Sequence, residues 1–437
     1  MFMMMINFYI VFMTLLIFYV NWNVYIFFFI ILIIMYCKLN LSFFFSNISY
    51  LFGMDYISYS LIILSFFIIS LMLLSSTIVC SPSFLFLNLI LCMSLYMIFS
   101  VLNMFLMYLF FEFSLVPLII LILGWGYQPE RLISVIYLFF YTLFASLPLL
   151  LVIIYLNLNF GSLFFDYDFK YSLSFMMHFF MVFAFLVKLP MFMFHYWLPK
   201  AHVQAPVSGS MILAGLFLKI GGYGLIRFMF IYEYLFMHYS YIWYSLSIWG
   251  SIIVSLICFI QGDIKCLIAY SSVCHMGMCL MGLLTMNYWG LVGAYLMMIG
   301  HGLCSSGMFC MANLVYERLL SRSFFINKGL ITFMPSLSLI WFMFCCFNMS
   351  CPPSINFFSE LIIMGSMMNY FYWSFIYMIF ISFLSACFSI YLFSYCYHGL
   401  FHNCYSYSFI MVKEYLLLII HLLPIFFIML IIDSFFF

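Results

Sequence analysis

Residues 188–227 read KLPMFMFHYWLPKAHVQAPVSGSMILAGLFLKIGGYGLIR. One apolar run ends on Lys188, two residues before Pro190. A second run, over 208–230, carries Lys219 at its centre, just before Gly221 and Gly222. Proline breaks a helix by removing a backbone donor, and at membrane depth such freed backbone survives only where protein or water covers it. A lysine at the middle of a membrane helix costs about 2.5–3.5 kcal/mol on insertion scales. An apolar segment broken by proline and flanked by two such lysines points to a polar path inside a helical membrane protein.

The rest of the chain agrees. Of its 437 residues 69% are hydrophobic and 5% charged, whereas a soluble domain carries roughly 25% charged residues. The apolar runs are continuous, which favours helices over the alternating strands of a barrel. A span needs about 20 residues. The spans read as 1–20, 23–37, 57–79, 83–101, 103–123, 132–156, 173–194, 208–230, 241–261, 264–285, 288–316, a long stretch 330–368 interrupted at Cys351-Pro352-Pro353, 371–396 and 415–432. The expected fold is an all-α polytopic membrane protein of about fourteen transmembrane helices. Residues 1–20 lack a basic leader and a cleavage site, so they read as a retained span. The polar connections near 38–55, 157–172, 195–207, 317–329 and 397–414 are too short for a soluble domain. The chain reads as a single transmembrane domain, 1–437, with N-terminal helices over 1–100, a core over 101–368 and C-terminal helices over 369–437.

Two segments share one plan: Lys188-Leu189-Pro190, and Pro352-Pro353 followed by Glu360. Paired broken segments of this sort accompany inverted repeats in transporters. Arg131, Lys200, Lys265, Arg318, Arg322, Lys328 and Lys413 fall in connections on one side, against Lys38 and Lys170 on the other, with Arg227 at a span end. The positive-inside rule puts the first group on the matrix or cytoplasmic side and both termini opposite.

Net charge is +1, which implies no nucleic-acid partner. The 15 cysteines contain no CxxC pair or zinc-type cluster. Free cysteine of this kind packs as a small hydrophobe. His398 and His402 are four apart but have no carboxylate nearby, so they do not read as a metal site. The run Gly221-Gly222-Tyr223-Gly224 suits close helix packing better than phosphate binding. The abundance of Phe (61), Met (37) and Tyr (35) fits an AT-rich organelle genome.

Six ionisable residues stand out at depth within the spans: Glu112, Lys188, Lys219, His275, His301 and Glu360. Burial and neighbouring charge pull the proton affinity of such groups in opposite directions, so each can be set near neutrality by its surroundings. Alternating sites that gain and lose protons are what a relay needs. The plainer readings are an ion pair of Glu112 with Lys188 or Lys219 that fixes helix packing, and neutral core histidines at His275 and His301.

The quoted stretch resembles the signature of the antiporter-like, proton-translocating subunits of respiratory complex I, and within that family the chain 4 members. Further matching segments are LGWGYQPERL (123–132), DIKCLIAYSSVCHMG (263–277), GHGLCSSGMFCMAN (300–313), YERLLSRS (316–323) and PPSINFFSE (352–360), together covering about 100 to 365. The resemblance implies an antiporter-like fold with two inverted repeats. It also implies that Glu112 interacts with Lys188, that Lys219, His275 and His301 continue a lateral relay, and that Glu360 ends it. Departures from the pattern are Gln204 for a common Glu, Gly262 for Thr, Phe113 for a smaller residue and Ser359 for Gly.

The same resemblance implies that this chain binds no cofactor. NADH, FMN, iron-sulfur clusters and ubiquinone would belong to partner subunits of an NADH:ubiquinone reductase. The implied partners are the chain 2 and chain 5 antiporter-like neighbours, accessory subunits and phospholipid including cardiolipin, in the mitochondrial inner membrane. Two other readings stay open: a subunit of a cation/proton antiporter, and a non-pumping scaffold.

Overall fold

Proline, small polar caps and glycine set where the helices begin and end. The structure is a computed structural model that describes residues 47–49, 51–76, 81–165, 174–400 and 409–430. The expected spans 1–20 and 23–37, with Lys38, Lys170 and His402, lie outside these residues.

A small antiparallel hairpin, β1 (Asn47–Ser49) and β2 (Phe52–Met54), leads into Asp55, the N-cap of α1 (Tyr56–Ser75). Ser58 Oγ accepts from the Asp55 N–H at 2.8 Å, which holds the start of that helix. Helix α2 (Pro82–Ser100) starts on Ser81, whose Oγ accepts from Phe84 N–H, with Pro82 in the first turn. Helices α3 (Met104–Phe113) and α4 (Leu115–Trp125) are two parts of one apolar segment, divided at Ser114. Pro117 in the first turn of α4 cannot return a hydrogen bond to the end of α3, and Ser114 Oγ donates back to Phe111 O at 2.8 Å. Helix α5 (Arg131–Phe160) runs to Gly161, which takes φ 71°, the left-handed conformation glycine supplies at a helix end.

Helix α6 (Phe175–Lys188) stops at Lys188, and the chain re-forms a helix only at α7 (Trp197–Gln204). The 195–207 stretch was expected to be a polar connection; the structure corrects this. Trp197, Leu198 and Ala201 of α7 are fully buried. Pro206 then opens a continuous run: α8 (Val207–Ile212), one π-helical turn (Leu213–Phe217) and α9 (Leu218–Ile231). Next come α10 (Glu233–Cys258), α11 (Ile264–Leu284) and α12 (Tyr288–Leu319). Helix α10 begins at Glu233 and not at 241; its first turns are rich in Tyr and His, which hide the helix in a hydropathy reading. The expected long stretch over 330–368 divides into α13 (Pro335–Asn348) and α14 (Ile355–Tyr370), on either side of Cys351-Pro352-Pro353. Helices α15 (Ser374–Tyr397) and α16 (Val412–Leu430) complete the described chain.

Among the described residues ten helices are long and apolar enough to cross a membrane. The run from α8 to α9 is buried throughout, with α11 and α12 nearly so. These three form the centre. Helix α11 packs between α10 and α12, and α14 lies along α12. The outer faces of α5 and α15 present Phe140, Phe144, Leu151 and Phe383 outward, a surface suited to hydrocarbon and not to water. The centre is where the ionisable residues meet.

Candidate functional site

The π turn before Lys219 is the first part of the site. Such a turn widens the helix by one residue and often marks a working position. Here it presents the Ala214 carbonyl to Lys219 Nζ, which donates to it at 2.5 Å. Lys219 is fully buried, and its Nζ also lies 3.0 Å from His301 Nδ1. His301 projects from α12 between Gly300 and Gly302. A Cβ on Gly302 would stand 3.1 Å from Gly215 O and 3.3 Å from Lys219 Cε. The missing side chain therefore lets α12 approach the π turn and makes room for the lysine stem.

From His301 the series continues to α11. The rings of His301 and His275 have centroids 5.7 Å apart. His275 Nδ1 stands 3.9 Å from Glu360 Oε1. Glu360, in α14, accepts a hydrogen bond from Ser350 Oγ, in the break between α13 and α14. Ser350 has φ 58°, so the break aims this hydroxyl back toward the second half-helix. Four expected residues, Lys219, His301, His275 and Glu360, thus form one buried row from three helices and a half-helix.

Glu112 and Lys188 form a second pair. Lys188 ends α6 and donates from Nζ to the Phe111 carbonyl at 3.0 Å, with its ammonium against the Phe111 ring and 4.9 Å from the Phe217 ring. It therefore touches the residue next to Glu112. The packing ion pair of the plainer reading does not form, since no salt bridge joins Glu112 to Lys188. The two remain within Coulombic range. Phe217, which faces Lys188, lies two residues before Lys219, so the pair abuts the row at the π turn. A Cβ at Gly221 would lie 2.8 Å from Leu189 N, so α9 also packs directly on the chain that leaves Lys188.

Other buried polar residues were not placed in the relay by the sequence. Lys265, expected in a connection, is buried in the first turn of α11, with Nζ 3.4 Å from Ala205 O. Arg227, expected at a span end, is buried in α9 and ion-paired with Asp55. His202 of α7 stacks on Phe309, with ring centroids 4.5 Å apart and an interplanar angle of 6°. Gln204, at the position of a departure from the family pattern, reaches Glu130 Oε2 at 3.4 Å. A polar side chain between Pro199 and Pro206 was the available signal for His202; Lys265 offered none beyond its place at the start of an apolar run.

Comparison with known proteins bears on the family and the fold. Residues 101–389 match the family profile described as NADH:quinone oxidoreductase/Mrp antiporter, TM. Residues 3–98 match the profile described as NADH-ubiquinone oxidoreductase chain 4, amino terminus. The chain is 50% identical over 404 residues to NADH-ubiquinone oxidoreductase chain 4 of Ceratitis capitata, covering 90% of this chain and 89% of that one. It is 49% identical over 412 residues to the protein of that name from Aedes aegypti, covering 89% and 88%. Its fold is similar to a chain of respiratory complex I from Thermus thermophilus with bound NADH, with a TM-score of 0.89 at 19% identity, covering 100% and 96%.

Proposed function

The chain belongs to the NADH-ubiquinone oxidoreductase chain 4 family, and from that premise we propose that it moves protons through Glu112, Lys188, Lys219, His301, His275 and Glu360. The observation that carries the proposal is the row Lys219–His301–His275–Glu360, buried and joined by contacts of 3.0 Å, 5.7 Å between ring centroids, and 3.9 Å.

Each member can do a definite step. The Lys219 ammonium donates a proton to Nδ1 of a neutral His301. The imidazolium passes a proton to His275, across a gap that one water can bridge. His275 then delivers to the Glu360 carboxylate, which Ser350 holds in place. At the other end, a change of charge on Lys188, next to Glu112, alters the field at Lys219 and so its readiness to release.

In this reading the chain is a core membrane-arm subunit of NADH:ubiquinone reductase in the mitochondrial inner membrane. The electron carriers NADH, FMN, iron-sulfur clusters and ubiquinone work in other subunits. The fold has about fourteen spans, counting 1–20 and 23–37 and the two broken segments, with inverted repeats that relate Lys188-Pro190 to the break before Glu360. Residues 101–368 are the translocation core, flanked by helices of 1–100 and 369–437. Both termini face the intermembrane space. Chain 2 and chain 5, accessory subunits and phospholipid including cardiolipin border it.

An experimental map of the intact complex that resolves ordered water tests the relay. Waters are expected between Lys188 and Lys219 and between His301 and His275. Dry apolar packing at both gaps would turn the chain into a scaffold.

A further inference from the structure

Helix α13 ends in a turn that brings two thiols together. Ser350 adopts the left-handed conformation at φ 58°. Its N–H donates to Phe347 O at 3.2 Å, and the Cys351 N–H donates to Cys346 O at 2.9 Å. This pair of bonds defines a Schellman turn, whose first and last side chains pack on one another. Here those two residues are Cys346 and Cys351. A disulfide needs α-carbons about 4.4–6.8 Å apart, and the backbone bond that closes the turn sets a separation of that order. Both cysteines are partly accessible, whereas the adjacent Cys345 is buried. Between them stands Ser350, the hydrogen-bond donor to Glu360.

We propose that Cys346 and Cys351 are a reversible oxidation site, forming an intrachain disulfide when a hydroperoxide reaches the helix break. One thiol sulfur attacks the peroxide as its proton passes to the leaving oxygen; the O–O bond breaks, giving a sulfenic acid and releasing an alcohol, or water from hydrogen peroxide. The second thiol attacks that sulfur, the S–S bond forms, the S–O bond breaks and water leaves. Two thiols lose two electrons and two protons, and the hydroperoxide takes them up. The ring that closes spans Ser350 and holds the turn rigid. Holding Ser350 also holds its hydrogen bond to Glu360 and so affects proton transfer there; that consequence rests on the relay reading, and formation of the disulfide does not.

The test uses native membranes containing the whole complex. They are treated with hydrogen peroxide, free thiols are blocked with N-ethylmaleimide, and peptides are analysed by mass spectrometry without reduction. The peptide carrying both cysteines should appear unblocked and two hydrogens lighter than its dithiol form. Dithiothreitol should return it to the doubly blocked form. Full blocking of both cysteines after peroxide, or oxidation of each alone to sulfinic acid, overturns the proposal. The ratio of protons moved to NADH oxidised, measured on the same membranes, should change with peroxide and recover with dithiothreitol. An unchanged ratio despite the disulfide would leave the site standing and overturn its link to the relay.

Discussion

Lys219 and His301 share a contact of 3.0 Å between Nζ and Nδ1, at a crossing where Gly215 and Gly302 leave no side chain between two helices. The contact depends on that space as much as on the two ionisable groups. Lysine stems are long and could turn many ways. The π turn and the missing Cβ at Gly302 leave this one open.

Gly302→Ala therefore places a methyl 3.3 Å from Lys219 Cε and 3.1 Å from Gly215 O. Overpacking of this kind costs about 1–3 kcal/mol. The assembled complex should melt at a lower temperature, and proton pumping should fall further than assembly does. Thermal denaturation and a pumping assay on the same preparation check both effects.

The Asp55–Arg227 ion pair is buried. Removing one partner of such a pair costs about 3–5 kcal/mol, while replacing both with apolar residues of similar volume is often close to neutral. Arg227→Met should lower the amount of assembled complex on native gels. The double variant Asp55→Leu/Arg227→Met should recover much of it. A double variant as poor as the single one would assign the pair a role beyond packing.

Glu112 lies within Coulombic reach of Lys188. Glu112→Gln keeps the shape of the side chain and removes only the charge that Lys188 senses. Assembly should stay normal while pumping slows by about tenfold, which corresponds to roughly 1.4 kcal/mol on the rate-limiting transfer. Equal losses of assembly and pumping would instead make Glu112 a structural brace.

Much of this site can be read in the sequence because its markers are chemically loud. Pro190 and Pro352-Pro353 announce the two breaks, and a lysine or glutamate within an apolar run is costly enough to demand a reason. What sequence does not carry is where side chains go once helices cross. Lys188 and Phe111 are far apart in the chain, and nothing local says that the ammonium meets a backbone carbonyl in place of the neighbouring carboxylate. Helix α7 was obscured because Pro199, Lys200 and His202 make its sequence look like a loop, although packing buries most of it. Lys265 and Arg227 sat close enough to span ends for position to assign them to the surface, yet the structure buries both. The role of Ser350 depends on a left-handed turn at a serine, which no periodicity signals.

The most direct test of the relay is the number of protons moved per NADH oxidised in sealed vesicles containing the complex with Lys219→Met. Methionine fills a similar volume without a proton to give. The account predicts an assembled complex whose proton ratio falls, or whose coupled turnover falls roughly a hundredfold. A normal ratio at a normal rate would contradict it.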